Sequence, residues 1–393
     1  MDFDDTPDEA AWRAEVRSFL EKHHPSGERP RDDPDAARAW QATLYEAGFV
    51  GVAWPQQAGG RGGTPMQQAI VDQEMARLGL PALINLIGIG MCGPTVIMHG
   101  SDDQKQRYLT RLLRADDLWC QLFSEPEAGS DLAGLRTRAV RDADGGWRIT
   151  GQKVWTTLAH LADFGILLTR TDPDVPKHRG LTMFVVDMKA PGVTVRPLRQ
   201  MNGDAHFNEV FFDDVRIPDA ERLGEPGEGW TVALTTLMSE RLSLGGGGTA
   251  VGPKPEVVAR HVAEHIGALT ADRQVLARQQ LGRGFVAALG ARYTGYRQLS
   301  KLSRGEFPGP EASAGKLSGT QSARDLTDLA VRVLGDDAPI GGGPWQTAQA
   351  VMPGMAIAGG SDQVLRNIIG ERVLGLPAEP RADKGVTFKE TLA

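Results

Sequence analysis

The sequence predicts an α+β fold built from three consecutive zones: helical, strand-rich, then helical again. Three observations carry this. In residues 1–118 apolar side chains recur at helical spacing. Across residues 119–222 short β-branched or aromatic runs alternate with turn clusters. In residues 223–393 long helical patterns return. A chain of 393 residues is long enough for two or three domains, so each zone is expected to be a domain.

In the first zone, Ala10–His23 places Trp12, Val16 and Leu20 four residues apart, on one helix face. Met66–Leu78 and Asp103–Leu113 read the same way, and Ser101 with Asp102 can cap the second of these. Gly79–Met98 carries no charge, but Pro81, Asn85, Pro94 and several glycines interrupt it. A membrane-spanning helix needs about 20 mostly apolar residues, so a buried pair of helices is the better reading. The middle zone holds the strands Trp147–Thr150, Phe164–Thr169, Leu181–Asp187, Val193–Pro197 and Glu209–Phe212. Turn clusters at Asp142–Gly146, Asp172–Pro176, Pro191–Gly192 and Asn202–Asp204 separate them. Short strands at this spacing predict a compact barrel or sandwich. In the last zone Val257–His265, Arg273–Ala291, Ala312–Leu334 and Gln363–Val373 are long enough for helices. The run Gly245–Gly248, followed by Gly252 and Pro253, interrupts them, and there is no internal repeat.

Composition is that of an ordinary globular protein. A net charge of −7 and a pI near 5.7 argue against nucleic acid and anionic membrane surfaces as main partners. Two cysteines, Cys92 and Cys120, make a disulfide framework implausible and fit a reducing cytoplasm. The start, MDFDDTPDEAAW, is acidic and lacks an apolar core, unlike a secretory signal or an Arg-rich transit peptide.

Two blocks carry the chemistry: QLFSEPEAGSD (Gln121–Asp131) and, about twenty residues on, GQKVWTT (Gly151–Thr157). The first sets Ser124, Ser130 and a flexible Gly129 beside Leu122 and Phe123. The second sets the Trp155 indole two residues before the Thr157 hydroxyl. Hydroxyls and backbone N–H groups suit phosphates and ring heteroatoms, and a large aromatic suits the face of a planar heterocycle. Alone, the first block reads equally as a turn, and the second as a hairpin with Trp155 in the core. Together, in order and inside a β domain, they point to a flavin cradle and so to redox chemistry. His261-Val-Ala-Glu264-His265 matches the H-x-x-E-H order of inverted zinc peptidases, but it lacks a third ligand in sequence and the pattern is common in helices. His23-His24 and His206 have no partner pattern. GGRGG at Gly59–Gly63 lacks the phosphate-loop lysine and reads as a loop.

From about residue 8 to residue 377 the chain resembles the acyl-CoA dehydrogenase family. GSDDQKQRYL, SEPEAGSD, GQKVWTT, NEVFFDDVRIP and NIIGERVLG stand at family order and spacing. The resemblance implies an N-terminal helical domain, a middle β domain and a C-terminal four-helix bundle clamping an FAD. It implies that Gln121, Phe123 and Ser124 line the isoalloxazine, and that Gly129 and Ser130 contact the pyrophosphate. Trp155 would cover the flavin face away from substrate, and Thr157 would sit at the N5–O4 edge, where a hydroxyl stabilises charge developing on the ring. Ser361 and Gln363 match a hydroxyl-x-Gln pair that touches FAD. Glu127 stands where the family usually has Gly, a departure that would strain the turn if that position required φ > 0.

The family's reaction needs a carboxylate that removes the α-proton of an acyl thioester. Many members take it from a Tyr-Glu-Gly-Thr segment. Here the matching residues are Ala358-Gly359-Gly360-Ser361, so the Glu position is Gly359, which keeps only the backbone N–H that bonds the thioester carbonyl. A branch similar to isovaleryl-CoA dehydrogenase carries the base on another helix, directly before an arginine. Glu240-Arg241 stands there, with Glu240 expected as base and Arg241 as the group orienting it or the substrate. That helix is expected to start near Glu228 and to turn Leu234, Leu237 and Met238 inward. Gly245–Gly248 would leave room for a bulky or branched acyl group.

The expected activity is therefore FAD-dependent α,β-dehydrogenation of an acyl-CoA in fatty acid metabolism, with electrons passed to an electron-transfer flavoprotein or similar acceptor. A homodimer or homotetramer in the cytoplasm is expected, with no metal, no nucleic acid and no membrane partner. Two alternatives keep the fold: a flavin oxidase or monooxygenase, and a non-catalytic subunit of a mixed complex. The second draws on two departures. No Arg-x-x-Phe-Gly follows Gly252, and Asp336-Asp337 replace the usual Gly-Asn beside the adenosine end.

Overall fold

The computed structural model describes residues 4–24, 33–245, 252–306, 309–335, 338, 343–380 and 383–392, without the side chains of 241–245. The chain forms two compact units. The first comprises Met1–Gln200, Ala205–Glu240 and Glu379–Ala393; the second comprises Met201–Asp204 and Arg241–Ala378.

In the first unit, α1 (Pro7–His23) starts at a Thr6–Glu9 capping box with proline in its first turn. It buries Trp12, Val16 and Leu20, as their spacing predicts. The helix α2 (Pro34–Glu46), absent from the sequence-based expectation, and α3 (Pro65–Arg77) complete this layer. Glu74 on α3 is buried and binds Arg13 and Arg17 of α1 and Arg77 of its own helix. Gly79–Met98 is not a pair of helices. A π-helical turn at Gly88–Cys92 runs directly into α4 (Gly93–His99). Gly93 allows this close packing, since a Cβ there would lie 2.0 Å from the Trp54 ring. α5 (Asp102–Arg114) is capped by Ser101 through a box with Gln104, so Asp102 begins the helix instead of capping it.

Eight strands follow, and they form one continuous hydrogen-bonded sheet. They are β1 (Trp119–Leu122), β2 (Arg138–Arg141), β3 (Trp147–Thr157), β4 (Phe164–Arg170), β5 (Leu181–Asp187), β6 (Val193–Leu198), β7 (Phe207–Ile217) and the short β8 (Arg222–Leu223). Their order is β6-β7-β3-β2-β4-β5-β8, with β1 added parallel to β4. The near-continuous apolar runs of β4 and β5 are buried on both faces. Ile166, Leu168, Met183 and Val185 pack with Tyr108, Leu109 and Leu112 of α5, while Leu167, Phe184 and Val186 pack with Trp147, Ile149, Val210 and Phe212 in a second core. α6 (Gly229–Gly245) leaves the sheet and adds Val232 and Ala233 to the first of these cores.

The second unit is helical: α7 (Pro255–His265), α8 (Ala271–Ser303), α9 (Ala312–Arg332), α10 (Pro344–Met355) and α11 (Asp362–Arg372). α9 packs against the other four. Its Leu326, Leu329 and Ala330 meet Val258 and Val262 of α7 and Ala277 of α8. α8 runs well past the Arg273–Ala291 expectation. Gly284 lets it approach α9, because a Cβ there would lie 2.4 Å from Leu326. No described helix is long and apolar enough to cross a membrane.

Candidate functional site

The fold joins the two sequence blocks directly. β1 delivers Gln121 and Leu122, and the chain then leaves the sheet as the loop of residues 123–137, beside the far half of β3. The Val154 N–H donates to the Ser124 carbonyl at 2.9 Å. The Lys153 ammonium donates to the Phe123 carbonyl and to Glu125 Oε1, both at 2.9 Å. Glu125 also accepts the Arg136 and Thr137 N–H groups at 2.6 and 2.9 Å, closing the loop on itself. Lys153 is fully buried and Glu125 nearly so. Burial works against ionising Glu125, but the adjacent ammonium and the N–H donors outweigh it and hold the carboxyl below its ordinary range. Burial likewise pulls Lys153 down. Neither residue features in the sequence reading. Strand alternation was the available signal: Lys153 shares the parity of the inward Trp147 and Ile149, and an inward lysine requires a buried acid.

Past Lys153 the β3–β7 register slips, and Trp155 takes φ = 59°. That conformation is a genuine outlier for a bulky residue, and bulges commonly re-aim a side chain in this way. The indole is 60% exposed and meets Phe207 edge-on at 6.1 Å, so it is not a core residue. Thr157, half-buried, pairs with Phe207 across the sheet. Gly129 and Ser130 are exposed. A Cβ on Gly129 would meet nothing within 4 Å, and its φ is not positive. Neither chain packing nor backbone conformation demands glycine there, whereas close approach of a ligand phosphate would. An exposed aromatic held in a strained conformation beside an open glycine loop fits a flavin nucleotide. Glu127 also lacks a positive φ and pairs with Arg136 at 2.6 Å, so its departure from the family pattern does not strain the turn. The Phe123 ring packs in the core.

In the second unit, Ser361 caps α11, its hydroxyl accepting the Val364 N–H at 3.3 Å, and Gln363 is exposed in the first turn. Gly359 and Gly360 hold φ of 67° and 88°, which suits glycine at both positions. Lys316 of α9 fixes this segment from below, donating to the Gly360 carbonyl at 3.0 Å and to Asp362 at 3.3 Å in a buried ion pair.

Glu240 lies on α6, half-buried, one turn beyond Thr236. The Thr236 hydroxyl is buried against that of Thr95 at 2.8 Å, so Glu240 continues the face that turns toward α4. Leu237 packs against the core, but Leu234 and Met238 are exposed, contrary to expectation. The helix buries the face of Val232, Ala233 and Thr236, and residues two positions on point elsewhere. The Arg241 side chain, Gly246–Gly248 and Asp336-Asp337 lie outside the described residues.

His261, Glu264 and His265 on α7 offer ligand atoms within 4.8 Å of one another, and among the described residues no further His, Cys, Asp or Glu joins them. Both rings are engaged structurally. His261 Nε2 meets the Ala330 carbonyl and His265 Nδ1 the His261 carbonyl, each at 2.9 Å.

Three family models match in sequence order: the acyl-CoA dehydrogenase N-terminal domain over residues 6–116, the middle domain over 120–215 and the C-terminal domain over 227–374. Acyl-CoA dehydrogenase IpdE1 of Mycobacterium tuberculosis is 36% identical, over 94% of this chain and 98% of its own length. Acyl-CoA dehydrogenase FadE34 of the same organism is 40% identical over 86% of this chain, which spans only 46% of that relative's length. Among solved structures, the Tcur3481-Tcur3483 steroid ACAD superposes with a TM-score of 0.83 at 28% identity, covering 96% of this chain and all of that one. The ChsE4-ChsE5 complex from Mycobacterium tuberculosis gives 0.80 at 31%, with the same coverage. The fold is that of the acyl-CoA dehydrogenases, a class of flavoproteins. The chain belongs to the acyl-CoA dehydrogenase family.

Proposed function

We propose that the chain is an FAD-dependent acyl-CoA dehydrogenase with Glu240 as its base. The observation that carries this is the tie between the two blocks through Lys153 and Val154, which leaves Trp155 and the Gly129 loop exposed. FAD, when bound, supplies the hydride acceptor. Gln121, Ser124, Thr157, Ser361 and Gln363, with the Phe123 main chain, would hold it, and Gly129 and Ser130 would take its pyrophosphate. Glu240 removes the α-proton of the thioester while the β-hydrogen leaves as hydride. Arg241 orients that carboxylate or the substrate, and the Gly359 N–H stabilises the developing oxyanion. Gly359 carries no side chain and cannot act as base, which supports looking for the carboxylate at the Glu240 position.

Relatives named as a steroid ACAD and as a two-protein complex support two finer proposals. The acyl group is bulky, and the chain works with a second chain of its own kind or of a homologous kind. Replacing Glu240 by Gln should leave FAD bound and slow flavin bleaching by acyl-CoA at least 10²-fold. Near-normal bleaching in that variant refutes the assignment.

A further inference from the structure

We infer that Lys177 is a positioning residue for the cofactor's pyrophosphate loop, clasped onto it by the C-terminal segment Asp383–Thr391. This inference rests on the flavin reading above. Lys177 sits in the turn between β4 and β5, with its side chain 12% exposed. Its ammonium donates to both carboxylate oxygens of Asp131, at 2.9 and 2.8 Å, and reaches Asp383 at 2.6 Å. Asp131 directly follows Ser130 in the first block. An ammonium has three N–H bonds, and these two carboxylates use them, so Lys177 is not itself a phosphate ligand.

The C-terminal segment is seated by more than this pair. The Phe388 N–H donates to the Val175 carbonyl at 2.9 Å, and the Lys389 N–H to the Pro173 carbonyl at 3.0 Å. The Phe388 ring is buried, 3.6 Å from the Arg170 guanidinium carbon. Arg170 in turn donates to the carbonyls of Ala133, Leu135 and Lys177. Three cations thus fix the loop: Lys153 at residues 123–125, Lys177 at Asp131 and Arg170 at 133–135. The stretch between the first two, residues 126–130, holds the open Gly129. The C-terminal segment covers Arg170 and neutralises Lys177, so it sets the shape of that stretch without touching it.

The test compares Lys177→Met, Asp383→Asn and Lys177→Arg with the wild-type full chain. Two readouts are needed: backbone hydrogen exchange across residues 126–135 without ligand, and FAD affinity from quenching of flavin fluorescence. The Met and Asn variants should exchange faster in that segment; Asp383→Asn, which loses one half-buried ion pair, should bind FAD about fivefold more weakly, and Lys177→Met, which loses both pairs, at least as weakly. The Arg variant should restore most of the affinity. Unchanged exchange, or faster exchange with unchanged FAD affinity, overturns the inference. Should Lys177→Met fail to fold, Asp383→Asn alone decides, since it leaves the Lys177–Asp131 pair in place. Wild-type protein that takes up no FAD would overturn the flavin reading, which the exchange readout does not require.

Discussion

Lys153 and Glu125 place a buried ion pair directly beneath the candidate cofactor loop. Removing one partner of such a pair strands a charge in the core. Lys153→Met should therefore cost about 3–5 kcal/mol in urea unfolding. Glu125 has a depressed pKa in the folded state, so its contribution is present above the ordinary carboxylate range and fades as the pH falls through the folded value. A Glu125→Gln variant should lack that acid-side loss. Asp72 on α3 behaves oppositely. Burial pushes its carboxyl up to about 6 despite a hydrogen bond from Gln68. Its contribution is full below the unfolded value near 4 and is lost as the pH rises through 6. Asp72→Asn should stabilise the protein by roughly 1–2 kcal/mol at pH 7.5, allowing for partial exposure, and leave it unchanged at pH 4. Trp155 shows local strain held at a candidate site. With φ at 59°, Trp155→Gly should be about 1 kcal/mol more stable than Trp155→Ala, while both bind flavin more weakly than wild type. The sequence motif named Trp155 but not its conformation, because the strain arises from a register slip against β7, far along the chain.

At the scale of elements, legibility followed periodicity. α1, α3, β4 and β5 carry strong patterns and stand close to their expected bounds. α10 has small residues and an internal Pro353, so its apolar signal is weak, and β1 and β2 are too short to show alternation. The Gly79–Met98 stretch misled because a π turn absorbs what looked like a helix break. α6 illustrates the limit most clearly. Its residues are apolar on several faces, so the sequence could not say that Leu234 and Met238 stay exposed. Its Thr236–Thr95 contact fixes helix rotation and therefore the direction of Glu240. Thr236→Val removes one partner of that buried pair and leaves the Thr95 hydroxyl only its bond to the Met91 carbonyl. It should slow flavin bleaching in stopped-flow measurements by rotating Glu240, while leaving FAD affinity unchanged.

For the whole molecule, the first unit holds the candidate flavin loop and Glu240, while the second holds Gly359, Ser361 and Gln363. The family pattern points to these residues despite their distance in sequence. It did not reveal the support beneath them: strand parity turns Lys153 inward, but its partner Glu125, like the Lys316–Asp362 pair, emerges only in the fold. The direct test of the account is an anaerobic titration of the flavin-loaded wild-type protein with a panel of acyl-CoAs, bulky ones included, followed by flavin absorbance. An acyl-CoA dehydrogenase should bleach the oxidised flavin band with at least one thioester and release its α,β-unsaturated product. A protein that binds flavin and acyl-CoA but keeps its oxidised spectrum throughout the panel would contradict the proposal.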